Sequence, residues 1–146
     1  MRFKGKEVIF GYRDTWFLGE TFSPIILAGL KKYKEVIEDP ECCAGCPGSF
    51  VLGDCTELDI EEGVKKWHDV LDKMIFSFVE HTEPLMPDGI IEFSESYLCD
   101  DGGVHSDLRI IDQEGLDNYH KELKVYNDRV QEGLDLFAKH YNDLRW

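Results

Sequence analysis

The sequence predicts a mainly α protein: three long helices packed around one core, with a β-hairpin insertion between the second and third. Three observations predict it. Apolar residues recur at helical spacing in three separate stretches. Residues 90–111 instead hold two β-rich runs about a turn sequence. The 146 residues include nine Phe, six Tyr and three Trp in a composition that is 42% apolar, enough for the core of one domain, so a single domain over 1–146 is expected.

Glu7-Val8-Ile9-Phe10 suits a short N-terminal strand. The first helix is expected from about Thr15 to Val36, where Trp16, Phe22, Ile25, Ile26, Leu30 and Tyr33 share a face. Pro24 either kinks it or begins a second segment, with Ser23 as N-cap. Lys31, Lys32 and Lys34 fall in the last turns, where cations suit the helix dipole. The second helix is expected from about Ile60 to Glu80. Val64, Trp67, Val70, Leu71, Met74, Ile75 and Phe78 form its stripe, and Asp59 with Glu62 forms a capping box. Ile90 to Cys99 and Val104 to Ile111 read as hairpin strands about the Asp100-Asp101-Gly102-Gly103 turn. The third helix, about Glu114 to Tyr141, aligns Leu116, Tyr119, Leu123, Tyr126, Val130, Leu134, Phe137 and Tyr141.

The formal charge of −14 is unevenly placed. Residues 1–34 carry +4, residues 35–62 carry −9, residues 80–117 carry −10, and residues 118–146 balance. The two acidic segments have the weakest helical pattern, as solvated connections do. So acidic a chain is repelled by nucleic acid and by anionic membranes, and direct binding to either is not expected. Basic protein surfaces and cations suit it better. No run approaches the roughly 20 apolar residues of a membrane span, and the N-terminus has no secretory h-region, so a cytoplasmic location is expected. Five cysteines, an odd number, fit a reducing compartment.

Three blocks carry a resemblance. The first is Thr15-Trp16-Phe17-Leu18 with Ile25-Ile26-Leu27 and Leu30. The second runs from Trp67 to Phe78. The third runs from Arg129 to Tyr141 and closes on Leu144-Arg145-Trp146. Together, over about half of the chain, they resemble a family of short proteins encoded by tailed bacteriophages. In that family a tryptophan-led helix is followed by an LDxMIxxF helix and a final RxQxGLxLFxKY helix. His140 stands where the family usually carries Tyr, and Gly19 where it carries Asp. The resemblance implies a phage origin and action in the host cytoplasm, and it brings no established catalytic role.

Cys43 and Cys46 form a C-x-x-C pair, which with Cys55 and either His68 or Cys99 could clamp zinc. The spacing lacks a second C-x-x-C, so the expected state is a loop of free thiols with no cofactor. Asp100, Asp101, His105 and Asp107 supply oxygen and nitrogen donors, but without a calcium-loop pattern they read as turn chemistry. His68 and Asp72, four residues apart, would pair on one helix face. No phosphate loop, nucleophile elbow or H-E-x-x-H motif is present, and an enzyme is not expected. Trp16, Gln131, Glu132 and Asp135 are the candidates for partner contact; for the last three, helix packing is the equal alternative. The expected function is non-enzymatic binding and inhibition of a host protein, such as a defence component. The alternatives are an acidic mimic of nucleic acid and an oligomer that sequesters a small ligand or nucleotide.

Overall fold

A computed structural model of the chain describes residues 2–4, 7–9, 11, 18–39, 46–51, 57–80, 83–98 and 102–144. They are mainly helical, with three long helices and a two-stranded ribbon between the second and third, the class that the sequence predicts. Backbone contacts divide the chain into two compact units, Met1–His81 with Arg129–Trp146, and Thr82–Asp128.

In the first unit, β1 (Arg2–Lys4) pairs antiparallel with β2 (Glu7–Ile9), placing Phe3 opposite Val8. Helix α1 (Leu18–Ile37) runs through Pro24 as one element, so Ser23 is an interior residue and not an N-cap. Pro24 has no N–H to offer the carbonyl four residues back, a local loss that the apolar contacts of the later turns offset. Helix α2 (Glu57–Ser77) begins a turn earlier than the stripe suggests. Asp59 therefore lies inside the first turn, where its charge favours the helix dipole but cannot form the expected capping box.

The core of this unit joins Leu30 of α1 to Trp67, Leu71, Met74 and Phe78 of α2, with Leu136 and Phe137 of helix α3 (Gln113–His140) packed against them. Trp67, Leu71 and Met74 are fully buried. Burial of each contributes about 1.5–3 kcal/mol. On α1 the expected stripe is only half right, because Phe22 and Ile25 are exposed while Ile26, Leu27, Tyr33 and Ile37 meet the core.

The last turns of α3 also depart from expectation. Leu134 and Tyr141 are exposed, whereas Gly133 and His140 are buried. Gly133 is the reason. A Cβ there would collide with the Ser77 hydroxyl and the Lys73 carbonyl, so α2 passes against the bare backbone of α3. The Ser77 hydroxyl donates to the Val130 carbonyl at 2.8 Å across this crossing. The Arg129 guanidinium lies 3.7 Å from the Phe76 ring centroid, and Lys73 is ion-paired with Glu132. A helix normally loses stability at an interior glycine; here the close approach compensates.

In the second unit, Gly89 adopts a positive φ of 81° and leads into buried Ile90. The ribbon then rises in two ladders. Strand β3 (Ile91–Phe93) pairs with β6 (Leu108–Ile110), and β4 (Tyr97–Leu98) pairs with β5 (Val104–His105). At the ribbon's base, Asp112 accepts a hydrogen bond from the Gly115 N–H at 2.9 Å and caps α3. That cap sets the helix start at Gln113.

Candidate functional site

The acidic, cysteine-containing segment of about residues 38–58 is more than a solvated connection. Its described part, Cys46–Val51, turns through a short 3-10 helix (Gly48–Phe50) that delivers Phe50 to the core. Phe50 sits 5.1 Å from Trp67 and 5.3 Å from His140, centroid to centroid, and Trp67 and His140 meet edge-on at 5.5 Å. A Cβ at Gly63 would stand 2.8 Å from the Phe50 carbonyl oxygen, so this glycine admits the turn. His140 Nδ1 lies 2.8 Å from Asp143 Oδ2, and the Tyr33 hydroxyl donates to the Asp143 carbonyl at 3.3 Å. Burial, foremost, pushes the Tyr33 hydroxyl above its ordinary pKa. The Asp143 charge adds to the rise, while the nearby Trp67 indole N–H opposes it. The cluster is a tied-down aromatic core in which the His140 ring also hydrogen-bonds to Asp143.

Of the candidate ligands of zinc, Cys46 and His68 are described, and no group of three or more His, Cys, Asp or Glu side chains among the described residues could hold a metal ion. Cys46 is half-buried, and burial raises its thiol pKa, which keeps it protonated and slow as a nucleophile. His68 turns its Nδ1 toward Glu38 Oε1 at 3.7 Å. It does not take up Asp72, which instead receives Lys34 at 2.6 Å, because a primary ammonium reaching across from α1 competes better for that carboxylate. Cys43, Cys55, Cys99, Asp100 and Asp101 lie outside the described residues, as do Tyr12, Trp16 and Trp146. Of the remaining candidates for partner contact, Glu132 holds Lys73, and Gln131 donates to Asp135 at 2.7 Å along α3. All three are exposed.

An apolar groove of about 450 Å³ runs beside α1, lined by Ile26, Leu30, Tyr33, Val36, Phe137 and Leu144, with Lys32 at its rim. Lys32 is engaged by Glu35 at 2.7 Å.

The ribbon holds the most distinctive surface. Its two ladders are out of step by one residue: Phe93 faces Leu108, but Tyr97 faces His105. Ser94-Glu95-Ser96 therefore opposes only Ser106-Asp107, which is a β-bulge. The Ser94 N–H donates to the Asp107 carbonyl at 2.9 Å, and the Asp107 N–H donates to the Ser94 hydroxyl at 2.8 Å, so these two residues stay bonded across the bulge. Strict alternation from Ile91 would turn Leu98 to the opposite side of the ribbon from Phe93. The bulge returns it. One face thus carries Ile91, Phe93, Leu98, Val104, Leu108 and Ile110, with Ser96 and Ser106 bonded to each other at 2.9 Å between hydroxyls. The other face carries Glu92, Tyr97, His105, Asp107 and Arg109, with the Tyr97 hydroxyl donating to Asp107 Oδ1 at 3.0 Å. A polar cleft of about 330 Å³ borders the bulge, lined by Glu92, Glu95, Asp107 and Arg109 among others. The apolar face is open: Leu98 is 75% exposed, Val104 70% and Phe93 61%.

Scattered exposed apolar residues are ordinary, but a contiguous face of them marks a contact surface. Sequence reasoning found the hairpin and missed the bulge. The signal was present in the Ser94-Glu95-Ser96 run, which breaks the two-residue alternation between Phe93 and Leu98. Comparison with known proteins brings no further guide: no family model, curated protein or solved structure matches the chain.

Proposed function

We propose that the chain is a phage-encoded accessory protein that works in the host cytoplasm by binding, and thereby inhibiting, a host protein. The observation that carries this reading is the segregation of apolar side chains onto one face of an exposed ribbon and of polar and charged ones, Glu92, Asp107 and Arg109 among them, onto the other. Such an arrangement serves contact with other macromolecular surfaces. The ribbon belongs to the segment 80–117, in which eleven acids accompany one arginine, Arg109 on the polar face itself, so the net charge of the segment suits a partner rich in Lys and Arg. The likeness of the Arg129–Tyr141 block to phage proteins supports the origin. Among the described residues no helix is long and apolar enough to cross a membrane.

The test is capture from bacterial lysate by the tagged chain and by its Glu92→Lys/Glu95→Lys variant, with native mass identifying what is held. A single basic host polypeptide retained by the parent, lost by the variant and released as salt rises supports the reading. Equal retention by both, or none by either, overturns it.

A further inference from the structure

We infer that Asp88–Gly89, the turn at the foot of the ribbon, is a site of spontaneous covalent modification at which the aspartate isomerises to isoaspartate. The inference goes beyond the host-binding proposal and stands or falls separately from it.

The chemistry needs an aspartyl carboxyl, the amide nitrogen of the next residue and room for a five-membered ring. The Gly89 nitrogen attacks Cγ of Asp88. A C–N bond forms, and the carboxyl hydroxyl leaves with the amide hydrogen as one water. The product is a cyclic imide, and water then adds to one of its two carbonyls. Opening at Cγ restores aspartate. Opening at the main-chain carbonyl leaves Gly89 joined through Cγ, with one extra carbon in the backbone. The water released in the first step is taken back in the second, so the sum is an isomerisation.

The turn meets each need. Asp88 and Gly89 are both exposed, so water reaches the imide. They are the central residues of a bend that follows Pro87, a sequence in which proline sets the direction and glycine completes the turn. Gly89 takes a φ of 81°, and a Cβ there would meet nothing within 4 Å, so no neighbour crowds the attacking nitrogen. Among the described residues, no acceptor takes the Gly89 N–H and no donor holds the Asp88 carboxylate. An engaged amide would first have to give up its acceptor. Nearby aspartates differ in this respect: Asp107 receives the Tyr97 hydroxyl, and Asp112 receives the Gly115 N–H.

The consequence falls on Ile90. This buried residue follows the turn directly, and its carbonyl receives the Ile111 N–H at 2.8 Å and the Asp112 N–H at 3.3 Å. Its Cγ1 would stand 3.3 Å from a Cβ on Gly115. Ile90 thus ties the base of the ribbon to the start of α3. An extra backbone carbon lengthens the chain leading into that anchor, and a closely packed side chain does not follow without loss. Isomerisation should therefore loosen the ribbon where it meets α3.

The test is incubation of the full folded chain at neutral pH and body temperature, then digestion at glutamate and labelling of the peptides with an isoaspartyl methyltransferase. Glu92 and Glu95 separate Asp88–Gly89 from Asp101–Gly102, the other such pair in the sequence. Label should accumulate on the Asp88 peptide at a rate within a few-fold of that for the same peptide free in solution, through a transient form lighter by one water. Asp88→Glu, which would need a six-membered ring, should remain unlabelled at that position. In the isomerised fraction the Ile111 amide should exchange with solvent faster than in the fresh chain. Label confined to Asp101, or label on Asp88 only after denaturation, overturns the site. Unchanged exchange at Ile111 overturns the loosening.

Discussion

A methyl group at Gly133 has nowhere to go. It would meet the Lys73 carbonyl, which is backbone, as well as the Ser77 hydroxyl. Gly133→Ala should therefore destabilise the first unit by about 1–3 kcal/mol despite the better helix propensity of alanine. Adding Ser77→Ala should recover little, because the carbonyl obstacle remains. Thermal melts of the single and double variants check this, and a Gly133→Ala protein as stable as the parent would mean that the helices do not cross so closely.

Tyr97 offers a second residue-scale test. Its hydrogen bond to Asp107, reinforced by the carboxylate charge, holds the phenol above its ordinary value of 10.0. Folding thus favours the protonated phenol. The contribution is fully present below the unfolded pKa and is lost as pH rises through the higher folded one. Ultraviolet titration of the parent minus Tyr97→Phe isolates this tyrosine, and Asp107→Asn should move its midpoint down. An unmoved midpoint would show that the bond is not made.

At the scale of elements, the start of α3 is set by one side chain. Asp112 both accepts the Gly115 N–H through its carboxylate and, through its carbonyl, receives the Leu116 N–H at 3.1 Å. Asp112→Ala should cost about 1 kcal/mol, whereas Asp112→Asn should cost little, because both Asp and Asn cap well. Denaturant titration of the three proteins separates capping from mere loss of charge. The ribbon is governed in the same local way. Deleting Glu95 removes the extra residue of the bulge, so that Ser94 alone would oppose Asp107 in one unbroken ladder and Leu98 would keep its place opposite Val104. Cross-strand nuclear Overhauser contacts should then run without a break from Ile91–Ile110 to Leu98–Val104, and their loss at Leu98 would show that the bulge does not lie at Ser94 and Glu95.

For the whole molecule, a net charge of −14 within 146 residues means that the folded chain repels itself. The ion pairs among the described residues are mostly on the surface, such as Lys32–Glu35 and Lys66–Glu62, and each contributes little. Screening should relieve the repulsion more than it weakens these pairs, so the melting temperature should rise as sodium chloride is added. A fall would show that attractive pairs, led by Lys34–Asp72 and Lys73–Glu132, outweigh the net charge.

Elements whose signals are local can be read from the residues alone. The second helix was legible because Trp67, Leu71, Met74 and Phe78 repeat at the period of the backbone and all prove buried. The hairpin was legible from its turn residues, and the third helix from its length. Which way the ends of those elements face is settled by packing between elements. Whether Leu134 or Gly133 is inward depends on how closely α2 approaches, and that distance is a property of two helices at once. Phe50 joins the core because a glycine on α2, at position 63, leaves room for its backbone. The continuous apolar face of the ribbon exists because one unpaired residue shifts the register between two ladders. Periodicity reports what a single element could bury, while the choice of what it does bury is made by the neighbour it meets.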